Sequence, residues 1–298
     1  FSGNLNAASF NLQTLLSDLA VDYQTTDPEA MRAVALSADY QATMDSVALT
    51  NLLVQLDQTK LEGSFSAENF AAPQLAFELD MNAINIDRYM SPAVEQEQEP
   101  AALALVVPLA ALRGAHANGT FNASSMTAGG MKVGDIDVDV ETVGNTMIIT
   151  YNAALYGGAL RGEIQYLDHG AEAQMIVNQG VYDVDLGALL SDIEVTDRLS
   201  GSGTLDIDLT ITETATGQTN KGTVGVLARD GALKGVDVKA IIDKVADVYA
   251  SIKGGESGAG GDVEASSESS DETRFAELSG TFAINDQLLT NDDFLMKA

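Results

Sequence analysis

The chain has 298 residues, 45% of them hydrophobic, and its 15 basic and 44 acidic side chains give a formal net charge of −29. This much apolar material can form a core, while the acidic charge opposes binding to nucleic acid or to an anionic membrane surface. The absence of cysteine excludes disulfides, thiol catalysis and thiolate metal sites.

Short alternating segments that begin at a glycine recur along the chain. We expect each glycine to open a strand, and some strands to lead through an Asn or Asp into a helical turn. The openings are Gly3, Gly63, Gly119, Gly162, Gly203, Gly222 and Gly280, and the exits are Asn11, Asn85, Asp185 and Asp237. This repetition predicts an extended β-rich protein that works through a long surface rather than one pocket.

The clearest strands alternate apolar and polar side chains. Such a period of two is typical of an antiparallel sheet with one side in water. The apolar side chains of these strands are Leu75, Phe77, Leu79, Ile136, Val138, Val140, Leu205, Ile207, Leu209, Ile211, Val224 and Val226. We therefore predict a mainly β fold, an extended, curled antiparallel sheet with an apolar groove and a few short amphipathic helices.

Leucine spacing predicts short helices after Asn11 and after Asp185, and a third short helix is expected to start at Pro28. The best helical pattern covers residues 236–253, where apolar side chains recur at helical spacing.

Composition suggests three regions. Residues 1–90 form a repeating β segment with short helices, 91–107 a flexible acidic and proline-containing linker, and 108–298 a C-terminal β region. Within the last region, residues 254–272 have almost no apolar side chains, so we expect a disordered acidic loop after the 236–253 helix. The most apolar window, 101–115, is too short to span a membrane, and both chain ends resemble cuts within structure, as in a fragment of a longer protein.

No catalytic, cofactor or metal site emerges from the residues. Asp135, Asp137, Asp139 and Glu141 alternate along one strand, where carboxylates two residues apart lie about 7 Å from each other, too far to share a calcium ion. Gly201-Ser202-Gly203 precedes a strand and lacks the helix of a phosphate-binding loop. We predict that the protein is not an enzyme and needs no cofactor.

The apolar strand faces exceed what the few predicted helices can cover. Such a sheet must curl on itself, pack against another layer as an ordinary core, or leave an apolar groove. A long groove of this kind suits lipid acyl chains, so the twelve apolar side chains named above are the candidate lining of a lipid groove.

Several short motifs resemble the AsmA family. Residues 154–162, Ala-Leu-Tyr-Gly-Gly-Ala-Leu-Arg-Gly, are similar to its LYGG-x-L-x-G signature, and residues 84–90 with Pro92 are similar to its "LDLDRYLP" segment. Further similar segments are residues 199–206, 229–237 and 273–282. Together they follow the order of the family's C-terminal periplasmic region and cover nearly the whole chain.

The resemblance implies a Gram-negative inner-membrane protein with one N-terminal span, absent from this chain, and a periplasmic β-rich body. The family is related to TamB and to bridge-like lipid-transfer proteins, which implies outer-membrane biogenesis with phospholipid conducted along an apolar groove. The alternative is a non-enzymatic scaffold or chaperone-like protein that influences outer-membrane protein assembly and targeting to the membrane. The expected partners are phospholipid and envelope proteins, and not nucleic acid.

Overall fold

A computed structural model describes residues 1–21, 23–91, 109, 114, 116–234, 272–286 and 288–297. They form one open sheet of 15 strands that follow each other in chain order from β1 to β14, with β15 beside β13. The strands are β1 (Ser2–Phe10), β2 (Val34–Ala42), β3 (Ser46–Leu56), β4 (Thr59–Glu68), β5 (Gln74–Asn85), β6 (His116–Ala128), β7 (Met131–Val143), β8 (Thr146–Leu155), β9 (Gly158–Asp168), β10 (Ala173–Asp185), β11 (Leu199–Thr214), β12 (Gly217–Lys234), β13 (Glu272–Asn285), β14 (Leu288–Thr290) and β15 (Leu295–Lys297). The described helices are α1 (Leu12–Asp18), α2 (Leu186–Asp192) and a 3₁₀ turn (Ile86–Tyr89). The predicted mainly β, extended fold is confirmed.

One strand pair departs from the predicted antiparallel arrangement. Strands β5 and β6 are parallel, whereas the other described pairs are antiparallel. Parallel neighbours need a crossover connection of a dozen or more residues. The connection between Asn85 and His116 is long enough, and the predicted linker 91–107 falls within it, almost entirely outside the described residues.

Strand direction gives the sheet two different ends. Because β5 and β6 run the same way and the other pairs alternate, β1, β5 and β10 all finish at one end. The helices α1 and α2 and the 3₁₀ turn leave from these strands, so we call this the helix end and the opposite one the hairpin end. Register shifts typical of β-bulges in pairs such as β7–β8 and β10–β11 add to the natural strand twist and curl the sheet.

Except for Gly3, the second residue of β1, the repeated glycines lie inside the strands rather than at their openings, which corrects the sequence interpretation. At Gly162 a Cβ would collide with the ring of Tyr151 on the neighbouring strand, and at Gly222 it would collide with the carbonyl oxygen of Asp208. The glycines therefore permit close approach between strands, and the strands extend on both sides of them.

Two of the predicted short helices are confirmed. The Asn11 side chain accepts a hydrogen bond from the Thr14 N–H at 3.0 Å, and Asp185 accepts one from the Ala188 N–H at 3.0 Å, so each helix has the Asx cap expected from the sequence. The 236–253 helix and the 254–272 loop lie outside the described residues, except that Glu272 already begins β13.

The helix expected at Pro28 is wrong. The Ala30 N–H bonds to the Asp27 backbone carbonyl at 3.0 Å, which forms a single turn. The next N–H groups then bond to a side-chain carboxylate instead of to backbone carbonyls. Asp57, in the β3–β4 turn, accepts the N–H groups of Met31 at 2.8 Å and of Arg32 and Ala33 at 3.0 Å. These bonds take the donors that a continuing helix would need, so the segment crosses the helix end as an irregular loop.

That loop also contacts the 3₁₀ turn. The Arg88 Nε lies 2.7 Å from the Asp27 carboxylate, and the Thr26 N–H bonds to the Met90 carbonyl at 2.8 Å. The Glu29 N–H and the Arg88 guanidinium together hold the pKa of Asp27 below its usual range. The loop therefore ties β2 to β5 along the helix end of the sheet.

Candidate functional site

Strand register places all twelve candidate groove residues on one face of the sheet. Directly paired residues of neighbouring strands point to the same side. One row runs Phe65, Phe77, Gly119, Val140, Ile149, Ile164, Val177, Leu209, Gly222 and Ile284. The next row runs Leu79, Phe121, Val138, Tyr151, Gly162, Gln179, Ile207, Val224 and Phe282.

The remaining candidates lie in the two flanking rows of the same face. Toward the helix end, Ala123 pairs with Ile136, and Val181 pairs with Leu205, which pairs with Val226. Toward the hairpin end, Ala67 pairs with Leu75, and Met175 pairs with Ile211. The sheet therefore carries one surface of mostly apolar side chains, which we call the apolar face.

All twelve candidates are half-buried: each is partly covered by its neighbours, and none is sealed from solvent. Core residues under a second layer would be fully buried. On the opposite side of the same strands the acidic side chains are exposed, among them Glu78, Asp137, Asp139, Asp206 and Asp208. Within the described ranges the sheet is thus a single layer with an acidic back, and its apolar face is only partly covered at the twelve candidates, although Phe282 and Ile284 at the β13 side of the same face are buried.

The helix end of the apolar face is covered by α2. Leu155, Val181 and Val184 form a buried cluster against which Leu186 and Leu189 of α2 pack. Asp192, at the last turn of α2, receives the Tyr156 hydroxyl at 2.8 Å and the Lys132 ammonium at 2.9 Å. These contacts pin the helix over the tips of the β6–β7 and β8–β9 hairpins.

The contacts of Asp192 predict that the protein loses part of its stability in acid. Hydrogen bonds from Lys132 and Tyr156 hold the pKa of Asp192 below 3.8. A carboxylate of this kind stabilises the folded state at pH values above its unfolded pKa of about 4, and the contribution disappears as pH falls through the lower folded value. Thermal melts of the wild type and Asp192→Asn should therefore differ at neutral pH and converge as the pH falls through the lowered pKa of Asp192. Two curves separated by the same interval at every pH would contradict this role.

A short segment covers part of the hairpin end. Leu109 is only 4% exposed and packs with Met147, Tyr166 and Ala173. The Tyr166 hydroxyl donates to the Leu109 carbonyl at 2.9 Å. Leu109 belongs to the apolar window that the sequence singled out, and the groove candidates Leu75, Phe77, Val140 and Ile211 pack against the cluster that it joins.

A polar pair interrupts the middle of the apolar face. The Tyr151 hydroxyl donates to the Gln179 side-chain oxygen at 2.7 Å, and burial raises the pKa of Tyr151. The ring of Tyr151 lies over Gly162, the residue between them in the same row. Sequence reasoning missed the pair, although Gln179 breaks the apolar series of Met175, Val177 and Val181.

We expect Tyr151→Phe to destabilise the protein by about 1 kcal/mol, because the ring stays over Gly162 while the amide oxygen of Gln179 loses its donor. The matched control is Tyr182→Phe, on the exposed back of the same sheet, which should have little effect. Urea unfolding of the three proteins measures the difference, and equal midpoints would show that the hydrogen bond is not formed.

Two negative findings apply to the residues that the structure describes. Among them there is no group of histidine, aspartate or glutamate side chains that could hold a metal ion. No helix within these ranges is long and apolar enough to cross a membrane.

Comparison with known proteins gives one result. The model of the AsmA family matches residues 115–294, which is more than half of the chain and includes β6 to β14. Neither the curated proteins nor the solved structures yield a match. The family is one of envelope-associated proteins with roles in outer-membrane biogenesis and lipid transport. On this match over the strands that carry most of the apolar face, the chain belongs to the AsmA family.

Proposed function

We propose that the apolar face holds the acyl chains of phospholipid and conducts the lipid along the sheet, without catalysis. The observation that carries this proposal is the row of half-buried apolar side chains that runs from Phe65 to Leu209, broken only by Gly119, across strands that have no second layer in the described ranges. In this proposal the protein acts in the periplasm, and a membrane span outside these residues attaches the intact protein to the inner membrane.

The energetics favour a lipid ligand over a polar one. Each methylene that leaves water contributes about 0.8 kcal/mol, so partial shelter of two acyl chains outweighs a few lost polar contacts. The head group would remain in water above the open face. The acidic side chains on the back oppose lipid binding there, because desolvating a carboxylate is costly.

The length of the face suits conduction. Neighbouring strands lie 4.7–4.9 Å apart, so the nine spacings from Phe65 in β4 to Ile284 in β13 span roughly 43 Å. That is more than the thickness of a bilayer's hydrocarbon core, about 30 Å, and therefore longer than one lipid needs. A ligand held by non-directional apolar contacts can move along such a surface without breaking a specific bond.

Neighbouring residues on opposite faces of β11 provide the test. Ile207 lies on the apolar face and Asp208 on the exposed back. We expect phospholipid to co-purify with the wild type from Gram-negative cells, to fall at least tenfold in Ile207→Asp, and to persist in Asp208→Asn, as measured by mass spectrometry of the extracted protein.

Two results would contradict the proposal. Folded wild-type protein that carries no phospholipid and takes none from vesicles would rule out a lipid groove. Equal lipid recovery from Ile207→Asp and Asp208→Asn would show that lipid does not occupy the apolar face. In either case the scaffold function, with envelope proteins as partners, becomes the better account.

A further inference from the structure

The polar pair in the middle of the apolar face is surrounded by apolar side chains. In the two central rows of this face, Tyr151 and Gln179 are the residues that carry polar side-chain atoms, and the others are apolar residues or glycines. Val138 precedes Tyr151 in its row, and Ile207 follows Gln179. A phospholipid that moves along the face would therefore meet polar atoms at this one place on the central rows.

The hydrogen-bonding capacity of the pair is only partly used. The Tyr151 hydroxyl donates to Oε1 of Gln179 at 2.7 Å, which orients the amide. The amide also carries two N–H donors, and in the described part of the chain no group accepts from the Gln179 nitrogen. Among the same residues no side-chain nitrogen or oxygen is both sealed from solvent and unpaired, so this nitrogen is open to solvent.

These free donors affect which ligand fits. Tyr151 and Gln179 are half-buried, so an acyl chain laid over the pair would remove the remaining water from the amide nitrogen. An amide N–H that loses water without gaining an acceptor destabilises the complex. Pure hydrocarbon is therefore disfavoured at this place, and a ligand that brings a hydrogen-bond acceptor is favoured.

The surroundings favour a neutral acceptor over an anionic one. The two central rows contain no lysine or arginine, and the chain carries a formal net charge of −29. A phosphate group at Gln179 would lose hydration without a cation to compensate for it. An ester carbonyl is neutral, accepts hydrogen bonds and lies at the start of each acyl chain of a diacyl phospholipid.

The position of Gln179 along the face also suits an ester carbonyl. Gln179 lies on β10, three strands from β7, and three spacings of about 4.8 Å span about 14 Å. One acyl chain fills half of a bilayer's hydrocarbon core, which is about 15 Å. An acyl chain that starts at Gln179 and runs across Tyr151 therefore reaches Val138 on β7, and it lies on the apolar face over this whole distance.

We propose that the Gln179 amide donates a hydrogen bond to an ester carbonyl of the bound phospholipid and thereby selects ester-linked over ether-linked lipid, a role that rests on the proposed function. Tyr151 is a positioning residue, because its hydroxyl holds Oε1 of Gln179 and leaves the amide nitrogen for the ligand. The glycerol backbone then has a defined resting place midway along the apolar face, with its head group in water.

Competition between two lipids that differ in this group provides the test. Vesicles that contain equal amounts of dioleoyl phosphatidylcholine and its dioleyl ether analogue are incubated with the full chain, and the lipid on the re-isolated protein is measured by mass spectrometry. The ether analogue has no carbonyl. We expect the wild type to take up the diacyl lipid about fivefold more than the ether lipid, the effect of one hydrogen bond.

Gln179→Leu removes both donors and keeps an apolar cover, so it should still take up lipid but with a ratio near one to one. Gln179→Met repeats the test with an unbranched side chain, so that the result does not depend on the folding of one variant. Tyr151→Phe should lower the preference without abolishing it. The matched control is Asn178→Leu, at the neighbouring position on the exposed back, which should keep the wild-type ratio.

The outcomes separate the role of Gln179 from the lipid groove itself. Equal uptake of the two lipids by the wild type overturns the role of Gln179 and leaves the groove in place. A preference that persists in Gln179→Leu and Gln179→Met, or that Asn178→Leu loses as well, also overturns it. Wild-type protein that takes up neither lipid contradicts the proposed function, and the role of Gln179 is then overturned with it.

Discussion

Leu155→Asp is expected to destabilise the protein strongly, whereas Val138→Asp is expected to have a much smaller effect. Leu155 is 4% exposed in the cluster beneath α2, where an unpaired charge costs about 3–5 kcal/mol. Val138 is only half-buried on the open apolar face, so its aspartate remains in contact with water and costs about 1–2 kcal/mol. Urea unfolding of both variants measures the two costs.

The comparison tells an open face from a covered one. If Val138→Asp is as destabilising as Leu155→Asp, then something seals the centre of the apolar face and the groove does not exist. If Val138→Asp stays folded, the variant can be assayed directly, and we expect it to hold much less phospholipid than the wild type.

Asp57→Ala should have the second large effect. The Asp57 side chain is 8% exposed and accepts the N–H groups of Met31, Arg32 and Ala33, along with the Tyr89 hydroxyl at 3.2 Å. Removing the carboxylate leaves several part-buried donors unpaired, and we expect a loss of about 3 kcal/mol in the free energy of unfolding.

Asp57→Asn gives the matched comparison, since it keeps one acceptor oxygen and should lose about half as much stability. Asp137→Ala, at an exposed position on the acidic back of the sheet, should be nearly neutral. If Asp57→Ala melts at the wild-type temperature, the 23–33 loop is not held by this carboxylate.

The local features of the fold could be predicted from the sequence. A period of two in segments such as 75–81, 136–140 and 205–211 predicts which side chains share a face, because successive strand residues alternate sides. Asn11 and Asp185 ahead of leucine-rich segments predict α1 and α2 for an equally local reason, since the cap bonds to a residue three positions later.

Features that depend on distant parts of the chain could not be predicted. The Tyr151–Gln179 bond joins residues 28 positions apart and forms because register places both on either side of Gly162. The Asp57 carboxylate accepts a hydrogen bond from the N–H of Ala33, 24 positions earlier in the chain, and Asp57 itself lies in a turn with a φ of +55°. The parallel pairing of β5 with β6 depends on the path of the long connection between them. It could not be predicted because apolar and polar residues alternate in the same way in a parallel and in an antiparallel strand.

The role of the repeated glycines also depends on distant parts of the chain and could not be predicted from the sequence. A glycine between alternating residues fits a strand opening as well as a point of close approach, and sequence reasoning chose the opening. The structure distinguishes the two, because Tyr151 and the Asp208 carbonyl occupy the space that side chains at Gly162 and Gly222 would need.

Site-specific photo-crosslinking in living Gram-negative cells tests the central claim most directly. A photoreactive amino acid placed at Val138 or Ile207 would lie on the apolar face, and one placed at Asp139 or Asp208 would lie on the back of the same strands. We predict phospholipid adducts at Val138 and Ile207 and none at Asp139 or Asp208. Adducts with protein alone at Val138 and Ile207, or lipid adducts of equal yield on both faces, would contradict the assignment of the apolar face as a lipid groove.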